Sequence, residues 1–275
     1  MRDDQAAGLR RLFAAHSARV LLVADTAWPQ RGWIALNLAA ALSRAGEQVV
    51  VLDSERESVA ALWGARCRYE LAHVLAGDRR LVDAVIPGPE SSVILPMRRA
   101  AANLAAQERT GQRSLARALD AFVEHNGLLV VPVSPGGLRS ALWRFGAGEL
   151  LLSIGEGSAA TTAAYASIKS LLSRRPQPSL RLSFACADPS VARQTRFAHL
   201  QGVVTRFIGA PLHFAGALPA GELARGVAGR TFFDDVPAAA RAIEEIAQAA
   251  TAWRLPRLEF SPRAAARQFG QVVTI

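Results

Sequence analysis

The sequence predicts an α/β fold, a mostly parallel sheet with helices on both faces, preceded by an N-terminal helix. Apolar runs alternate with stretches of helical period along most of the chain, which reads as a repeated strand-helix unit. Several of those runs are apolar without interruption, the pattern of strands covered on both faces. No repeat or low-complexity linker divides them. One layered unit with helices on either side of a sheet accounts for the whole pattern.

Taken in order, Asp4 to His16 has helical period. Val20 to Ala24 is the first strand and Ile34 to Ala45 the helix after it. Gln48 to Asp53 and Val93 to Pro96 are the next strands. A helical stretch at Ser114 to His125 precedes the strand Leu128 to Val133, and Glu149 to Ile154 leads into a helix at Ser158 to Ser173. Leu180 to Ala185 precedes a helix at Val191 to Phe207, and Leu212 to Ala217 precedes one at Ala238 to Trp253. Arg174 to Ser179, with its prolines, is a short connection. The expected division is an N-terminal helix (1–18), an α/β domain (19–253) and a tail (254–275). For the tail an ordered edge, a short helix and a frayed end all stay open.

A length of 275 residues suffices for one large α/β domain, and 51% hydrophobic with 20% charged residues excludes a disordered chain. No run approaches the ~18 apolar residues of a membrane span. Met-Arg-Asp-Asp-Gln puts acid where a signal peptide would be apolar, so a cytoplasmic address is expected. Cys67 and Cys186 lie far apart without a CxxC, and the five histidines fall singly, so neither a disulfide framework nor a metal site is expected. Both cysteines are expected as buried small hydrophobes. The net charge of +9 raises nucleic acid as a partner. However, the arginines occur as scattered doublets (Arg10-Arg11, Arg79-Arg80, Arg98-Arg99, Arg174-Arg175) without interleaved aromatics, so a solvated basic face and no nucleic-acid partner are expected. Lys169 is the chain's one lysine, which leaves 31 of the 32 basic residues as arginine. Any chemistry needing a lysine must use it.

Ligands of open α/β sheets sit beyond the carboxyl ends of the strands, which directs attention to the loop after the first strand. It reads Ala24-Asp25-Thr26-Ala27-Trp28-Pro29-Gln30-Arg31-Gly32 and is followed by Trp33 to Leu42. That helix, with Asn37-Leu38-Ala39, and the following GEQVVVLD resemble the MinD/ParA class of deviant P-loop ATPases, where a KGGVGKT-like loop precedes an NLA-type helix. The resemblance implies a P-loop NTPase fold and places the phosphate loop on residues 26–32. A phosphate cradle needs glycines for close backbone approach, a lysine on the phosphates and a hydroxyl for Mg²⁺. Here Thr26 stands for the signature lysine. Ala27, Trp28, Pro29 and Gln30 stand where glycines and a small residue belong, Arg31 for the invariant lysine and Gly32 for the hydroxyl residue. Pro29 also deletes an N–H, and the Trp28 indole takes room a pyrophosphate would need. Asp53 remains at the end of the second strand, but the next acidic position holds Glu55, a longer carboxylate. The switch aspartate falls on Pro132 or Val133 of LLVVPVSPGG, and the adenine-reading asparagine near Ala185. The reading is a degenerate nucleotide loop on a pseudo-ATPase without cofactor. ATP with Mg²⁺ enters only in the alternative, a nucleotide-dependent switch that binds through Arg31.

Other constellations reduce to ordinary local structure. Gly155-Glu156-Gly157-Ser158-Ala159-Ala160 matches G-x-G-x-x-A after a strand and offers a dinucleotide-binding oxidoreductase as second alternative. Asp188, its candidate ribose acid, is 33 residues beyond Gly155, where the motif asks for ~20. The stretch through AATTAAYASIKSLLSR resembles a MinD-type segment instead. Ser134 half-resembles a nucleophile elbow, but Pro135 lacks the N–H of an oxyanion hole. Asp234 and Asp235 suit a helix N-terminus, and Lys169 a solvent-facing helix position.

Asp4-Gln5-Ala6-Ala7-Gly8-Leu9-Arg10 resembles the DQAxxLR-type leader of the FlhG/FleN family of flagellar-number regulators. Residues 69–77 (YELAHVLAG), LVDAVIPGP, VILP and residues 197–219 (FAHLQGVVTRFIGAPLHFAGALP) resemble further segments of that family, so the resemblance covers about residues 4 to 250. It implies a partner, the signal-recognition-type GTPase FlhF, which the leader activates by a glutamine reaching into the GTPase site. Asp4, Gln5, Leu9, Arg10, Leu12 and Phe13 are then the activating residues, and none is catalytic for a reaction of its own. Recruitment to the cell pole or flagellar base, and basal-body or transcriptional partners, come with the same resemblance. The residues agree physically: Gln5, Leu9, Leu12 and Phe13 fall at i, i+4, i+7 and i+8, one apolar docking stripe with an amide at its start. Glutamine is also the side chain with which other GTPases orient the attacking water. A helix folded onto its own domain is the competing reading. The tail, broken by Pro256 and Pro262, lacks a strong amphipathic stripe, so no membrane contact is expected.

Overall fold

The computed structural model describes residues 17–26, 30–54, 59–106, 127–134, 149–173, 178–186, 188–219, 229–253, 255 and 257–259. β1 (Ser17–Asp25), α1 (Gln30–Arg44) and β2 (Val49–Asp53) come first. Short α2 (Val59–Leu62), α3 (Leu71–Leu75) and α4 (Leu81–Ala84) lead to β3 (Ile86–Pro87), β4 (Val93–Pro96) and α5 (Arg98–Ala106). After β5 (Leu128–Val133) come β6 (Glu149–Ile154), α6 (Gly157–Leu172), β7 (Ser179–Ala185), α7 (Pro189–Val191), a π-helical segment Ala192–Phe197 and α8 (Ala198–Ile208). β8 (Leu212–Leu218), α9 (Phe232–Asp235), α10 (Pro237–Thr251) and β9 (Arg257–Glu259) complete the described chain.

The sheet runs β3-β4-β2-β5-β1-β6-β7-β8. All neighbours from β4 to β8 are parallel, while β3 on β4 and β9 on β1 are antiparallel. Side chains alternate between faces with period two. Leu21 and Val23 of β1 join Ile34 and Leu38 of α1 and Ile243 and Ile246 of α10 on one face. Val20, Leu22 and Ala24 join Ile168 of α6 and Leu200 and Val204 of α8 on the other. Two apolar faces require two layers of helix, as the uninterrupted apolar strands predict.

All seven expected strands are present: β1, β7 and β8 are longer than expected, β2 starts at Val49 rather than Gln48, and the other three have the expected bounds. β1 lengthens most because Ser17–Arg19 acquires partners invisible in its own sequence: β5 begins pairing at Arg19, and β9 pairs Ser17↔Glu259, Ala18↔Leu258 and Arg19↔Arg257. β6 meets β1 only from Leu22 onward. β9 therefore covers the stretch of edge that β6 leaves open, and residues 257–259 of the tail take the ordered-edge alternative. The short elements α2, α3, α4 and β3, and α5, were not anticipated. The helices expected at Asp4 to His16 and Ser114 to His125 lie outside the described residues. Gly216 marks where α10 comes closest to β8: a Cβ there would stand 2.8 Å from Ile246 Cγ1.

Glu149 is buried at the start of β6, and Arg181 of β7 grips it with two hydrogen bonds, Nε to Oε2 at 2.5 Å and Nη2 to Oε1 at 3.0 Å. The guanidinium lies 5.1 Å from the Trp253 ring centroid. Removing one member of such a pair leaves the other charge in the apolar layer. Arg181→Ala should cost about 2–3 kcal/mol, below the ~3–5 of a fully buried pair because the guanidinium is partly solvated. The thermal midpoint should fall by about 5–10 °C. Adding Glu149→Gln should restore part of that loss.

Candidate functional site

The crevice beyond the carboxyl ends of the strands is bounded by the last residues of β1, β2, β6 and β7. At the end of β1, Asp25 is fully buried and in register with Ser153 of β6. Thr26 continues the link: its N–H donates to Ser153 O at 3.1 Å, and its Oγ1 accepts from the Gly155 N–H at 3.1 Å. The backbone donor that ends β6 is thus taken by a side chain of the first loop. α1 starts at Gln30, not after the loop as expected, so Gln30, Arg31 and Gly32 form its first turn. Ala27, Trp28 and Pro29, and the side chains of Gln30 and Arg31, lie outside the described residues.

Asp53 ends β2 with its carboxylate at the start of a helix. Oδ2 accepts the Ala60 N–H of α2 at 3.1 Å, while its backbone O accepts the Met97 N–H at 2.8 Å. A carboxylate there meets free N–H groups and the positive end of the helix. Glu55 lies outside the described residues. Pro132 and Val133 stand in β5 beyond its last pair with β2, Val51↔Val130. Asn37 is fully buried in α1: its Nδ2 donates to Trp33 O at 2.9 Å, and its Oδ1 accepts the Phe232 N–H at 2.6 Å. It ties α1 to α9.

A residue that the sequence did not single out closes the other side. Arg196, in the π-helical segment, donates from Nη1 to Ala185 O at 2.8 Å and from Nη2 to Gly155 O at 2.6 Å. Its guanidinium lies 5.1 Å from the Phe184 ring centroid, in a cluster with Phe197 and Phe214. It therefore bridges the ends of β6 and β7 at the position where the resemblance places the adenine-reading asparagine. An extra residue in a helical turn re-aims the side chains around it. Nothing in the sequence marks this, since the partners are two carbonyls. Arg196→Met keeps the stem and removes two charge-assisted hydrogen bonds. It should lower stability by about 2–3 kcal/mol, read as a reduced urea midpoint with an unchanged slope.

The remaining candidates are engaged in local structure. Asp188 caps α7, accepting from Ser190 N and Oγ at 2.7 Å each, and these bonds hold its carboxyl below the usual range. It is committed to that turn rather than open to a ribose. Asp234 accepts from Thr231 N at 2.6 Å and Thr231 Oγ1 at 3.0 Å, the capping box that opens α9, and Asp235 of the same turn pairs with Arg230 at 2.8 Å, so the helix N-terminus they serve is that of α9 rather than α10. Ser134 follows β5, with Pro135 outside the described residues. Lys169 is exposed on α6. The cysteines depart from expectation. Cys186 is half-buried just beyond the buried end of β7, and Cys67 is exposed in the largely exposed stretch between α2 and α3. Burial, then the carboxylates of Glu70 and Asp53, push the Cys67 thiol up. Its alkylation by iodoacetamide should lag that of free cysteine at neutral pH and accelerate as the pH rises. Asp4, Gln5, Leu9, Arg10, Leu12 and Phe13 lie outside the described residues. Among the described residues no cluster could hold a metal ion, and no helix is long and apolar enough to cross a membrane.

No family model matches the chain. A curated relative, the antiactivator FleN of Pseudomonas aeruginosa, is 27% identical over 231 residues, 81% of this chain and 82% of its own. Among solved structures, the cell division protein MinD of Aquifex aeolicus superposes with a TM-score of 0.63 at 13% identity, covering 86% of this chain and 98% of that one. A ParA family ATPase from Chlorobium tepidum gives 0.59 at 17% identity, covering 84% and 98%. The two structural matches establish the α/β P-loop NTPase fold that the first loop and helix imply.

Proposed function

We propose that this chain, a FleN-like member of the MinD/ParA class, is a protein-binding regulator that works without nucleotide and stimulates the GTPase FlhF through its leader. The observation that carries the nucleotide-independent part is the crevice. Backbone groups at the ends of β6 and β7 are already satisfied by the chain itself: Thr26 takes the Gly155 N–H, and Arg196 takes the carbonyls of Gly155 and Ala185. The one retained carboxylate, Asp53, starts α2. Together with the absence of a phosphate-loop lysine, these residues do not fit a magnesium nucleotide. The relative's description as an antiactivator supports action on another protein.

In this reading the sheet is a scaffold and the activity resides in residues 1–18. Leu9, Leu12 and Phe13 dock, Asp4 and Arg10 flank, and Gln5 orients the attacking water in the partner's site. Calorimetry with Mg-ATP should give no binding tighter than about 100 μM, roughly −5.5 kcal/mol. A tighter constant would favour the ATPase switch.

The leader is tested separately, by single-turnover GTP hydrolysis of FlhF. A peptide of residues 1–18 should accelerate it. In the full chain Leu9→Ala should weaken binding by about 1–3 kcal/mol, whereas Gln5→Ala should keep binding and lose stimulation. An inert peptide together with full stimulation by Gln5→Ala would make the leader structural.

A further inference from the structure

Among the described residues four large apolar side chains stand exposed: Leu75, Val82, Val191 and Phe207. Two of them, Leu75 and Val82, belong to α3 and α4. These helices form a tight pair: Gly77, at φ +82°, turns the chain after α3, and the Asp78 N–H returns to His73 O at 2.9 Å. Leu71 and Ala84 anchor the pair in the core. Glu70, buried just before α3, accepts the Arg99 N–H at 3.0 Å, and its other oxygen lies 3.6 Å from Arg99 Nε, which pins α3 to the start of α5. The exposed surface of this unit is therefore presented on fixed backbone, beside the start of α5 that follows β4.

That surface is also cationic. Residues 66–99 hold six arginines and four acids, Glu70, Asp78, Asp83 and Glu90. Asp83 is paired with Arg80 at 3.3 Å, Glu90 reaches Arg44 of α1 at 3.2 Å, and Glu70 is buried beneath Arg99. Of the four acids this leaves Asp78 to set against Arg66, Arg68, Arg79 and Arg98. Two of these arginines are positioned in advance. The Arg79 guanidinium lies 4.6 Å from the Tyr69 ring centroid and donates to Tyr69 Oη at 3.2 Å, and that of Arg68 lies 5.2 Å from the same centroid. Held side chains lose less freedom when a partner arrives.

We propose that the α3–α4 face docks an acidic amphipathic segment of a partner protein, its carboxylates on Arg68, Arg79 and Arg98 and its apolar side chains on Leu75 and Val82. Charge complementarity selects the sign of the partner, and the aliphatic pair selects a peptide. A nucleic acid would stack bases on a free aromatic face, whereas the Tyr69 ring already carries two guanidinium groups. The proposal stands apart from the leader and from the phosphate loop, so it survives or fails independently of them.

Fluorescence anisotropy on the full chain tests it, with a labelled peptide of glutamate and leucine at helical spacing as probe. Arg68→Glu with Arg79→Glu should weaken the probe's binding by about tenfold or more, and Val82→Ser severalfold, both with melting curves close to the parent's. A control of equal charge change on other helices, Lys169→Glu with Arg241→Glu, should leave binding within about twofold. The proposal is overturned if the parent does not bind the probe, or if the control weakens binding as much as the arginine pair. Indifference to Val82→Ser would equally overturn it, as would tighter binding of single-stranded DNA or phosphatidylglycerol vesicles at this face.

Discussion

A strand apolar on both faces has no water to satisfy its backbone, so β1 must find partners along both edges, and this requirement organises the molecule. β5 runs along one edge, β6 along the upper part of the other, and β9 returns to take the stretch that β6 does not reach. The helices follow from the same strand. α1 and α10 cover one set of its side chains, α6 and α8 the other. The position of the crevice follows too, because β1 stands where connections leave toward both sides of the sheet.

The crevice shows what becomes of such a position when it is filled from within. Hydrogen-bonding groups at the ends of parallel strands are open valences, and a fold that uses them for ligands must keep them exposed. In this chain Thr26 and Arg196 discharge them. Asp53 takes a helix end, and Asn37 ties α1 to α9. Each is a polar group near the carboxyl ends of the strands, or on the helix that follows β1, with a structural partner within the chain. In the function proposed above, interaction with other molecules falls to surfaces, the leader in one direction and the α3–α4 face in another.

Most of the sheet was legible in the sequence because apolar runs such as Leu128–Val133 and Glu149–Ile154, too short for a buried helix and bounded by turns, mark strands covered on both faces. Short elements were not legible. Val59–Leu62, Leu71–Leu75 and Leu81–Ala84 are too brief to establish a period, and the three residues of β9 derive their conformation from β1. The start of α1 was misplaced because Gln30 and Arg31 carry no apolar signal, while Pro29, a helix-opening residue, read equally well as loop. The residues at 26–32 and at Glu55 could be read one by one, and the structure adds the partners of Thr26 and Asp53. Arg196 was illegible because its role depends on a π-helical turn and on carbonyls from two strands distant in sequence. Cys67 and Cys186 were misjudged because residue type predicts burial only on average.

The pairing of Ser17 with Glu259 has a mechanical side. Ser17 is the first residue of β1, so a pull on the residues before it acts along the axis of the central strand. Such a load is shared in shear by the ladders to β5, β6 and β9, which must slip together, instead of opening one bond at a time as when an edge strand is peeled away. A load entering at Ser17 therefore meets the strand that pairs with three others, β5, β6 and β9.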